Sequence, residues 1–334
     1  MKKLAVATAV LLLISLGSAA AAYRWVFDAG SPGGKEVKVA ITHGTSGAAI
    51  AEQLQAKGVV DSALAFRIYL RAKKVNTDLR AGEYNLRGGM PFGDIVAKMK
   101  KGPAVEFVKL VIPEGLTLEQ TAKQVEKMTH ISAADFKAAA TPKTARPSML
   151  PEGSSNLEGF LYPATYYVED KETAATLVQR LVKQFERKIG SLEGAKSSTL
   201  GRTPYDQLII ASMIEQEAKA ESERGKVSAV IHNRLRKGIP LGIDATIQYA
   251  VGKYAGEPLT QSDLEIDSPY NSRKFQGLPP TPIGSPRADS YKAALKPEDV
   301  DFLYYVLTED CIHHLFTADY SEFERGKARQ PRNC

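Results

Sequence analysis

Cysteine, histidine and tryptophan are scarce in this sequence, which contains two, five and one of them among 334 residues. The two cysteines, Cys311 and Cys334, have no spacing typical of a metal site, so none is predicted. In an oxidising compartment they could form a disulfide bond, and two free thiols are the alternative. The neighbouring His313 and His314 would point to opposite sides of a strand, which argues against one shared ion.

Runs of a single charge are missing too. Charged residues make up 25% of the chain, and the net charge of +6 is spread along it. No basic helix, zinc pattern or RNA-binding motif occurs, so nucleic acid is not an expected partner. The mild positive excess fits a partner that carries carboxylates or phosphates. A nucleophile-elbow motif is also missing, which argues against Ser–His–Asp catalysis.

Only one long apolar run is present, the 19 residues from Leu4 to Ala22. As a helix they would span roughly 28 Å, about the thickness of a bilayer core. Lys2 and Lys3 would hold the N-terminus in the cytoplasm. A cleaved signal peptide is the alternative, because residues 17–22 are small. Both interpretations place the rest of the chain outside the cytoplasm.

The length exceeds what one core usually organises, so several domains are expected. The pattern predicts an α+β protein with an N-terminal transmembrane helix and a helix-rich domain that contains a small β element. The predicted segments are a membrane anchor (1–25), a linker (26–36), a small αβ subdomain (37–102), a second small αβ segment (103–155), the main domain (156–325) and a basic tail (326–334).

The most informative stretch is a predicted helix from Tyr205 to Glu223, whose run Leu208 to Ile214 is apolar on every side. Such a helix should be buried. Glu215 follows this run, where loss of water would favour the protonated acid. The alternative is a structural glutamate paired with Lys219 or an arginine. Glu217 lies roughly 200° further around the helix, so the two carboxylates should not form a pair.

Several sequence blocks resemble the endolytic murein transglycosylases, the MltG or YceG-like family. They occur in one order over residues 36–325, which is more specific than any single short motif. The blocks are LEGFLYPATYYV (157–168), IEQEA (214–218), ESERGKVSAVIHNRL (221–235), GIPLGIDATIQY (238–249), SPYNSRKFQGLPPTPIGSPRADSYKAAL (268–295), and FLYYV (302–306) followed by HLFT (314–317).

The resemblance implies a single-pass protein of the inner membrane with its catalytic domain, 156–325, in the periplasm. Residues 37–102 resemble the family's LysM-like subdomain. Glycan binding by this subdomain is one hypothesis, and a structural spacer is the alternative. The implied partners are peptidoglycan glycan strands, the membrane and peptidoglycan synthases.

The resemblance also implies a mechanism. Glu215 would protonate the oxygen between MurNAc and GlcNAc and then act as a base on the C6 hydroxyl of MurNAc. Closure of a 1,6-anhydro ring would cut nascent strands internally and limit their elongation. Since the substrate supplies the nucleophile, a second carboxylate is not needed, in contrast to a hydrolase. No metal or organic cofactor is required.

Six further residues are candidates for substrate binding. Glu158 lies beside aromatic residues that suit a sugar site, although such aromatics are more often core. Asn233 could point into a cleft, and Asp244 has the position of a helix N-cap. The family has a similar Asp-x-Thr, which adds Thr246. Tyr270 and Asn271 lie in a proline-rich loop that could line a groove.

Two other functions remain open at this point. The first is a membrane-anchored peptidoglycan-binding scaffold without catalysis. The second is a hydrolase that uses Glu215 together with Glu158 or Asp244.

Overall fold

The chain divides into two units, which meet in sequence between residues 106 and 107. A computed structural model describes residues 34–42, 44–75, 79–103, 107–254 and 256–329. The predicted anchor, 1–25, lies outside these residues, and so does Cys334 of the suggested disulfide bond. Within the described ranges no helix is long and apolar enough to cross a bilayer.

The first unit packs helices against a two-stranded antiparallel sheet. Its elements are β1 (Glu36–Ile41), α1 (Gly47–Ala56), α2 (Ala63–Ala72), β2 (Gly82–Arg87) and α3 (Phe92–Lys101). Val39 pairs with Tyr84 across the sheet, and both are buried. Leu54, Phe66 and Met99 complete the core from one helix each. Two strands and three helices thus make up the part of the chain from residue 36 to residue 101.

Among its described residues, the second unit contains nine α-helices and two small sheets. Its elements are β3 (Phe107–Val111), α4 (Leu118–Met128), α5 (Ala133–Ala139), β4 (Thr165–Glu169), α6 (Ala174–Lys188), α7 (Pro204–Glu217), α8 (Arg224–Lys237), α9 (Asp244–Val251), α10 (Gln261–Leu264), α11 (Ala288–Leu295), β5 (Tyr304–Leu307), β6 (His314–Thr317) and α12 (Tyr320–Arg329). The α+β class is therefore confirmed.

One hydrophobic core runs through this second unit. It includes Leu110 and Phe136 from the segment 103–155 together with Phe160 and Leu208 from the later segment. Strand β3 also pairs antiparallel with β4, whose residue Tyr166 is buried. The early segment thus supplies a strand and two helices to the core that positions the site.

Helix α7 lies at the centre of this core. Every residue from Gln207 to Ile214 is buried, which confirms the prediction of a buried helix. Thr203 and Asp206 form a capping box that fixes its start. The helix ends at Glu217 rather than at the predicted Glu223, because Ala218 adopts an extended conformation. This early end places Glu217 in the last turn, beside the following elements of the chain.

The C-terminal region joins a hairpin to a helix. Strand β5 starts at Tyr304, within the FLYYV block, and pairs antiparallel with β6. The basic tail was predicted to begin at Gly326, but residues up to Arg329 belong to α12. A Cβ on Gly326 would lie 2.7 Å from Val306, so its hydrogen side chain allows α12 to pack on β5.

Candidate active site

Glu215 lies in a closed network of donors. Its carboxylate accepts hydrogen bonds from the backbone N–H of Arg287 at 2.9 Å, from the Nε of the same residue at 2.9 Å and from the hydroxyl of Ser290 at 2.8 Å. Only 3% of its side chain is exposed. These donors belong to the first turn of α11 and the residue before it, so Glu215 joins α7 to α11. The arrangement matches the structural alternative, a glutamate paired with an arginine.

Glu217 has a different environment on another face of α7. Its carboxylate accepts one hydrogen bond, at 2.8 Å, from the hydroxyl of Tyr305 in β5. The pKa of Glu217 is raised to about 7, mainly because the group is buried. The nearby Asp244 contributes to this rise, and Tyr305 and Arg273 oppose it. A substantial fraction of this carboxyl group is thus protonated at neutral pH, as a general acid requires.

Glu217 also opens onto a cavity, which we term the acid cavity. Its volume is about 260 Å³. The lining residues come from α7, α8, the α8–α9 connection, the start of α9, the loop between α10 and α11, β5, β6 and α12: Glu217, Arg234, Leu241, Gly242, Asp244, Arg273, Tyr305, Val306, Leu307, His314, Phe323 and Lys327. Glu215 is not among them, so only one of the two glutamates can reach a ligand there.

Asp244 and Arg273 form an ion pair on the wall of the acid cavity. Arg273 donates from Nε and Nη2 to one carboxylate oxygen of Asp244, at 2.9 and 2.6 Å. Helix α9 begins at Asp244 with Ile243 as its N-cap, and no side chain caps it. The predicted N-cap role of Asp244 is therefore wrong, because its carboxylate binds Arg273 instead.

Arg234 is a second cation on the cavity wall, and it is fixed by backbone carbonyls. It donates to Leu303 at 2.6 Å, to Pro240 at 3.2 Å and to Leu241 at 2.6 Å. Its guanidinium also lies 5.1 Å from the ring centre of Tyr304. These bonds tie α8 to the chain before α9 and to β5, so they hold the rim of the cavity in place.

His314 and Glu223 form a buried pair at the back of the cavity. The Nδ1 of His314 lies 2.7 Å from the Oε2 of Glu223, and its backbone N–H donates to Oε1 at 2.9 Å. The imidazole also packs edge-on against Tyr305, with ring centres 5.4 Å apart. His313 instead pairs with the exposed Asp310. The two histidines thus face different surroundings, as the strand pattern predicted.

Glu158 is a second buried carboxyl group with a high pKa, but it does not line the acid cavity. It accepts from the backbone N–H of Leu118 at 3.0 Å and from the hydroxyl of Tyr249 at 3.2 Å. Burial raises its pKa to about 7, and these donors oppose the change. Its contacts join the start of α4 to α9.

The other four candidate residues hold loops and helices together. Asn233 donates to the carbonyls of Val300 and Phe302, both at 2.9 Å. Thr246 is fully buried and bonds Ser272 at 2.9 Å. None of these side chains lines the acid cavity.

Tyr270 and Asn271 make similar structural contacts within the proline-rich loop. The hydroxyl of Tyr270 lies 2.8 Å from that of Thr281. The amide of Asn271 is fully buried and donates to the carbonyls of Leu264 and Ile266 at 3.0 and 2.9 Å. Of the seven residues predicted for the site, only Asp244 therefore lies beside the cavity and Glu217.

Sequence reasoning missed Glu217, Arg273 and Tyr305 as site residues. The useful signal was the two-residue spacing in IEQEA, which puts the glutamates on different faces of one helix. Which of them meets a cavity depends on elements far along the chain. No group of three or more potential metal ligands occurs in the part of the chain that the structure describes.

Comparison with known proteins gives consistent matches over most of the chain. The profile of the YceG-like family matches residues 39–329. An endolytic murein transglycosylase of Bacillus subtilis is 32% identical over 307 residues, which cover 88% of this chain and 84% of that protein. One of Streptococcus pneumoniae is 31% identical over 327 residues, which cover 87% of this chain and 59% of that longer protein.

A solved structure is similar as well. The crystal structure of a YceG-like protein from Listeria monocytogenes matches with a TM-score of 0.59 and 32% identity, covering 88% of this chain and 99% of that one. The agreement of profile, sequence relatives and structure over the same residues means that this chain belongs to the YceG-like family.

Proposed function

We propose that this protein is an endolytic lytic transglycosylase that cleaves the β-1,4 bond between MurNAc and GlcNAc inside peptidoglycan strands, with Glu217 as its general acid. The names of the relatives support the reaction class. The observation that supports the residue is a carboxyl group with a pKa of about 7 on the wall of a cavity. The product would carry a 1,6-anhydroMurNAc end.

In the first step, the proton of Glu217 passes to the oxygen that bridges MurNAc and GlcNAc, and the bond from C1 of MurNAc to this oxygen breaks. The developing positive charge at C1 is balanced by the carboxylate that Glu217 becomes. The hydroxyl of Tyr305 remains hydrogen-bonded to that carboxylate, which limits the energy of a buried negative charge.

In the second step, the carboxylate of Glu217 takes the proton from the C6 hydroxyl of MurNAc. The C6 oxygen bonds to C1, which closes the anhydro ring and returns Glu217 to its protonated form. One carboxyl group thus serves as acid and then as base, and no water is consumed. Intramolecular attack is favoured because the hydroxyl is already close to C1.

Glu215 is less suited to this role on chemical grounds. Its carboxylate already accepts two hydrogen bonds from Arg287 and one from Ser290, and it does not line the acid cavity. The same donors occupy both carboxylate oxygens. We therefore assign Glu215 to the support of α7 and Glu217 to the reaction.

The charges around Glu217 favour a carboxyl group that can change its protonation state. Asp244 raises the pKa of Glu217 and Arg273 lowers it. The two are paired with each other, and their effects on this pKa oppose one another. Arg273 also gives the cavity wall a guanidinium, which is a donor suited to carboxylate and hydroxyl oxygens of a ligand.

The location of the protein is part of the same proposal. Residues 1–25 would form a single membrane anchor, with the catalytic domain, 156–325, in the periplasm. An enzyme held there could cut nascent strands close to the synthases that extend them. The positive net charge of +6 is compatible with an anionic surface.

Mass spectrometry of products tests the function directly. Purified glycan strands are digested with the protein, and the masses of the new strand ends are determined. Anhydro ends support the proposal. Reducing ends would indicate a hydrolase, for which Asp244 in the same cavity is the second carboxylate. Binding without any cleavage would favour the scaffold hypothesis.

A further inference from the structure

A second cavity lies beside the acid cavity, and the function proposed above does not use it. Its volume is about 140 Å³, and we term it the tyrosine cavity. Its lining residues are Glu114, Gly115, Leu116, Thr117, Gln120, Gln216, Ala245, Gln248, Tyr249, Lys253, Tyr254 and Ile283. They come from the start of α4, the end of α7, α9 and the chain after α9.

The two cavities are neighbours because they share the same two helix ends. In the last turn of α7, Gln216 lines the tyrosine cavity and Glu217 lines the acid cavity. At the start of α9, Ala245 lines the tyrosine cavity and Asp244 lines the acid cavity. Consecutive Cα atoms are about 3.8 Å apart, so the linings of the two cavities lie one residue apart on both helices.

Tyrosine rings form the apolar part of this cavity. Tyr254 is 46% exposed, so its ring is accessible to a ligand. Tyr249 is held more rigidly, with its hydroxyl donating to Glu158 at 3.2 Å and its ring 4.8 Å from that of Tyr270. The cavity therefore has one fixed ring inside and one accessible ring at its edge.

Side-chain amides form much of the polar part, and each is bonded at one end. Gln216 donates to the carbonyl of Gly115 at 2.7 Å, and Gln248 donates to the carbonyl of Glu257 at 2.7 Å. Gln120 accepts from the backbone N–H of Thr117 at 3.1 Å. These bonds fix the orientation of the amides while the other end of each can bind a ligand.

The charged residues at this cavity already have partners. Lys253 pairs with Asp263 at 2.6 Å, and Glu114 lies 3.9 Å from Arg287. Rings, oriented amides and neutralised charges together suit a neutral ligand that has an apolar face and many hydroxyl or amide groups. A pyranose ring with an N-acetyl group has this chemistry, because its face packs on an aromatic ring and its edge forms hydrogen bonds.

We propose that the tyrosine cavity is a saccharide subsite for the strand that is cut at Glu217, with the ring of Tyr254 as its stacking platform. The inference rests on the proposed function and extends it to substrate length. A strand that fills both cavities binds more tightly than a fragment that fills only the acid cavity. The subsite thereby gives the enzyme a preference for long, internal segments of a strand.

The test compares Tyr254→Ala, Tyr254→Phe and the wild type on a series of purified glycan oligomers of increasing length. The wild type should gain kcat/KM as the oligomers lengthen. On the long oligomers, Tyr254→Ala should have a kcat/KM about tenfold below that of the wild type, the equivalent of about 1.4 kcal/mol. The difference should come mainly from a higher KM. Tyr254→Phe keeps the ring and should behave like the wild type.

Tyr167→Ala is the matched control, because Tyr167 is 51% exposed in β4 and lines neither cavity. It should keep the wild-type dependence on length. Equal kinetics of Tyr254→Ala and the wild type on every oligomer would overturn the subsite while the proposed function stood. A wild type that cleaves no oligomer of any length would instead overturn the proposed function. A Tyr254→Ala protein with an unchanged melting temperature excludes misfolding as the cause of a lost gain.

Discussion

Glu215 and Glu217 lie two residues apart on one helix, yet their surroundings differ in every property that matters for acid catalysis. Glu215 accepts three hydrogen bonds from Arg287 and Ser290, and 3% of its side chain is exposed. Glu217 accepts one from Tyr305 and faces a cavity. The comparison teaches that burial alone does not bring a carboxyl group to a ligand, since Glu215 is enclosed by its donors and Glu217 lines the acid cavity.

The largest expected effect is on turnover in Glu217→Gln. The amide cannot give a proton, so the rate of strand cleavage should fall by about 10³-fold or more, the range of a lost general acid. The rate of formation of anhydro ends measures this. Its melting temperature at pH 7 should stay close to that of the wild type, because the substitution leaves no buried charge behind. A variant that keeps more than about a tenth of the wild-type rate would contradict the assignment.

The next effect concerns Glu158, which has a high pKa without access to the acid cavity. Because its pKa rises from 4.5 to about 7 on folding, the folded protein binds this proton more tightly than the unfolded chain. Its contribution to the free energy of unfolding is therefore complete below pH 4.5 and is lost as the pH rises to about 7. Up to about 3 kcal/mol would be lost in this way, and Glu158→Gln should remove this pH dependence.

Urea unfolding of Glu158→Gln at pH 4.5, 6 and 8 measures the slope. Glu217 has a similar pKa and keeps its own contribution in that variant, so the slope should fall without vanishing. A slope identical to that of the wild type would mean that Glu158 is ionised in the folded protein. The rate of strand cleavage by Glu158→Gln should change little at pH 6. This result would show that a carboxyl group with a raised pKa need not take part in the reaction.

Glu215→Gln should reduce the free energy of unfolding by about 2 kcal/mol, because Arg287 loses its charged partner. The loss is smaller than for a fully buried pair, since 30% of the Arg287 side chain is exposed. Thermal and urea unfolding measure this loss. Well below its melting temperature the variant should keep cleaving. Ser290→Ala is the matched comparison, since it removes one donor to Glu215 and keeps the ion pair. Ser290→Ala should reduce the free energy of unfolding by less than Glu215→Gln does.

The smallest effect is a displaced pH profile in Tyr305→Phe. Its hydroxyl stabilises the ionised form of Glu217, so its removal raises the pKa of that carboxyl group. Activity that needs a protonated acid falls as the pH rises through this pKa. The alkaline limb of kcat/KM should therefore move to higher pH, by about one unit for one hydrogen bond to a charged group. A limb that stays in place would show that Tyr305 does not act through Glu217.

Much of the fold could be predicted because its signals are local. The apolar run from Leu208 to Ile214 indicated the buried helix, and the pattern of residues 37–102 indicated a small unit of strands and helices. The predicted end of α7, at Glu223, was wrong because the residues that follow Glu217 are good helix formers. The N-cap role of Asp244 was wrong because Arg273, 29 residues away, binds its carboxylate.

The site was harder to predict because its decisive contacts are distant in sequence. Arg287 lies 72 residues after Glu215, and Tyr305 lies 88 residues after Glu217. No local pattern tells which glutamate meets the arginine and which meets the cavity. Family resemblance pointed to the segment IEQEA, and three-dimensional packing was needed to distinguish the surroundings of its two carboxyl groups.

The most direct test of the central claim compares Glu215→Gln and Glu217→Gln on the same purified glycan strands, at pH 6 and below both melting temperatures. Mass spectrometry counts the anhydroMurNAc ends that each produces. Anhydro ends from Glu215→Gln and none from Glu217→Gln are the predicted result. Anhydro ends from a folded Glu217→Gln and none from a folded Glu215→Gln would contradict the account and return the acid role to Glu215.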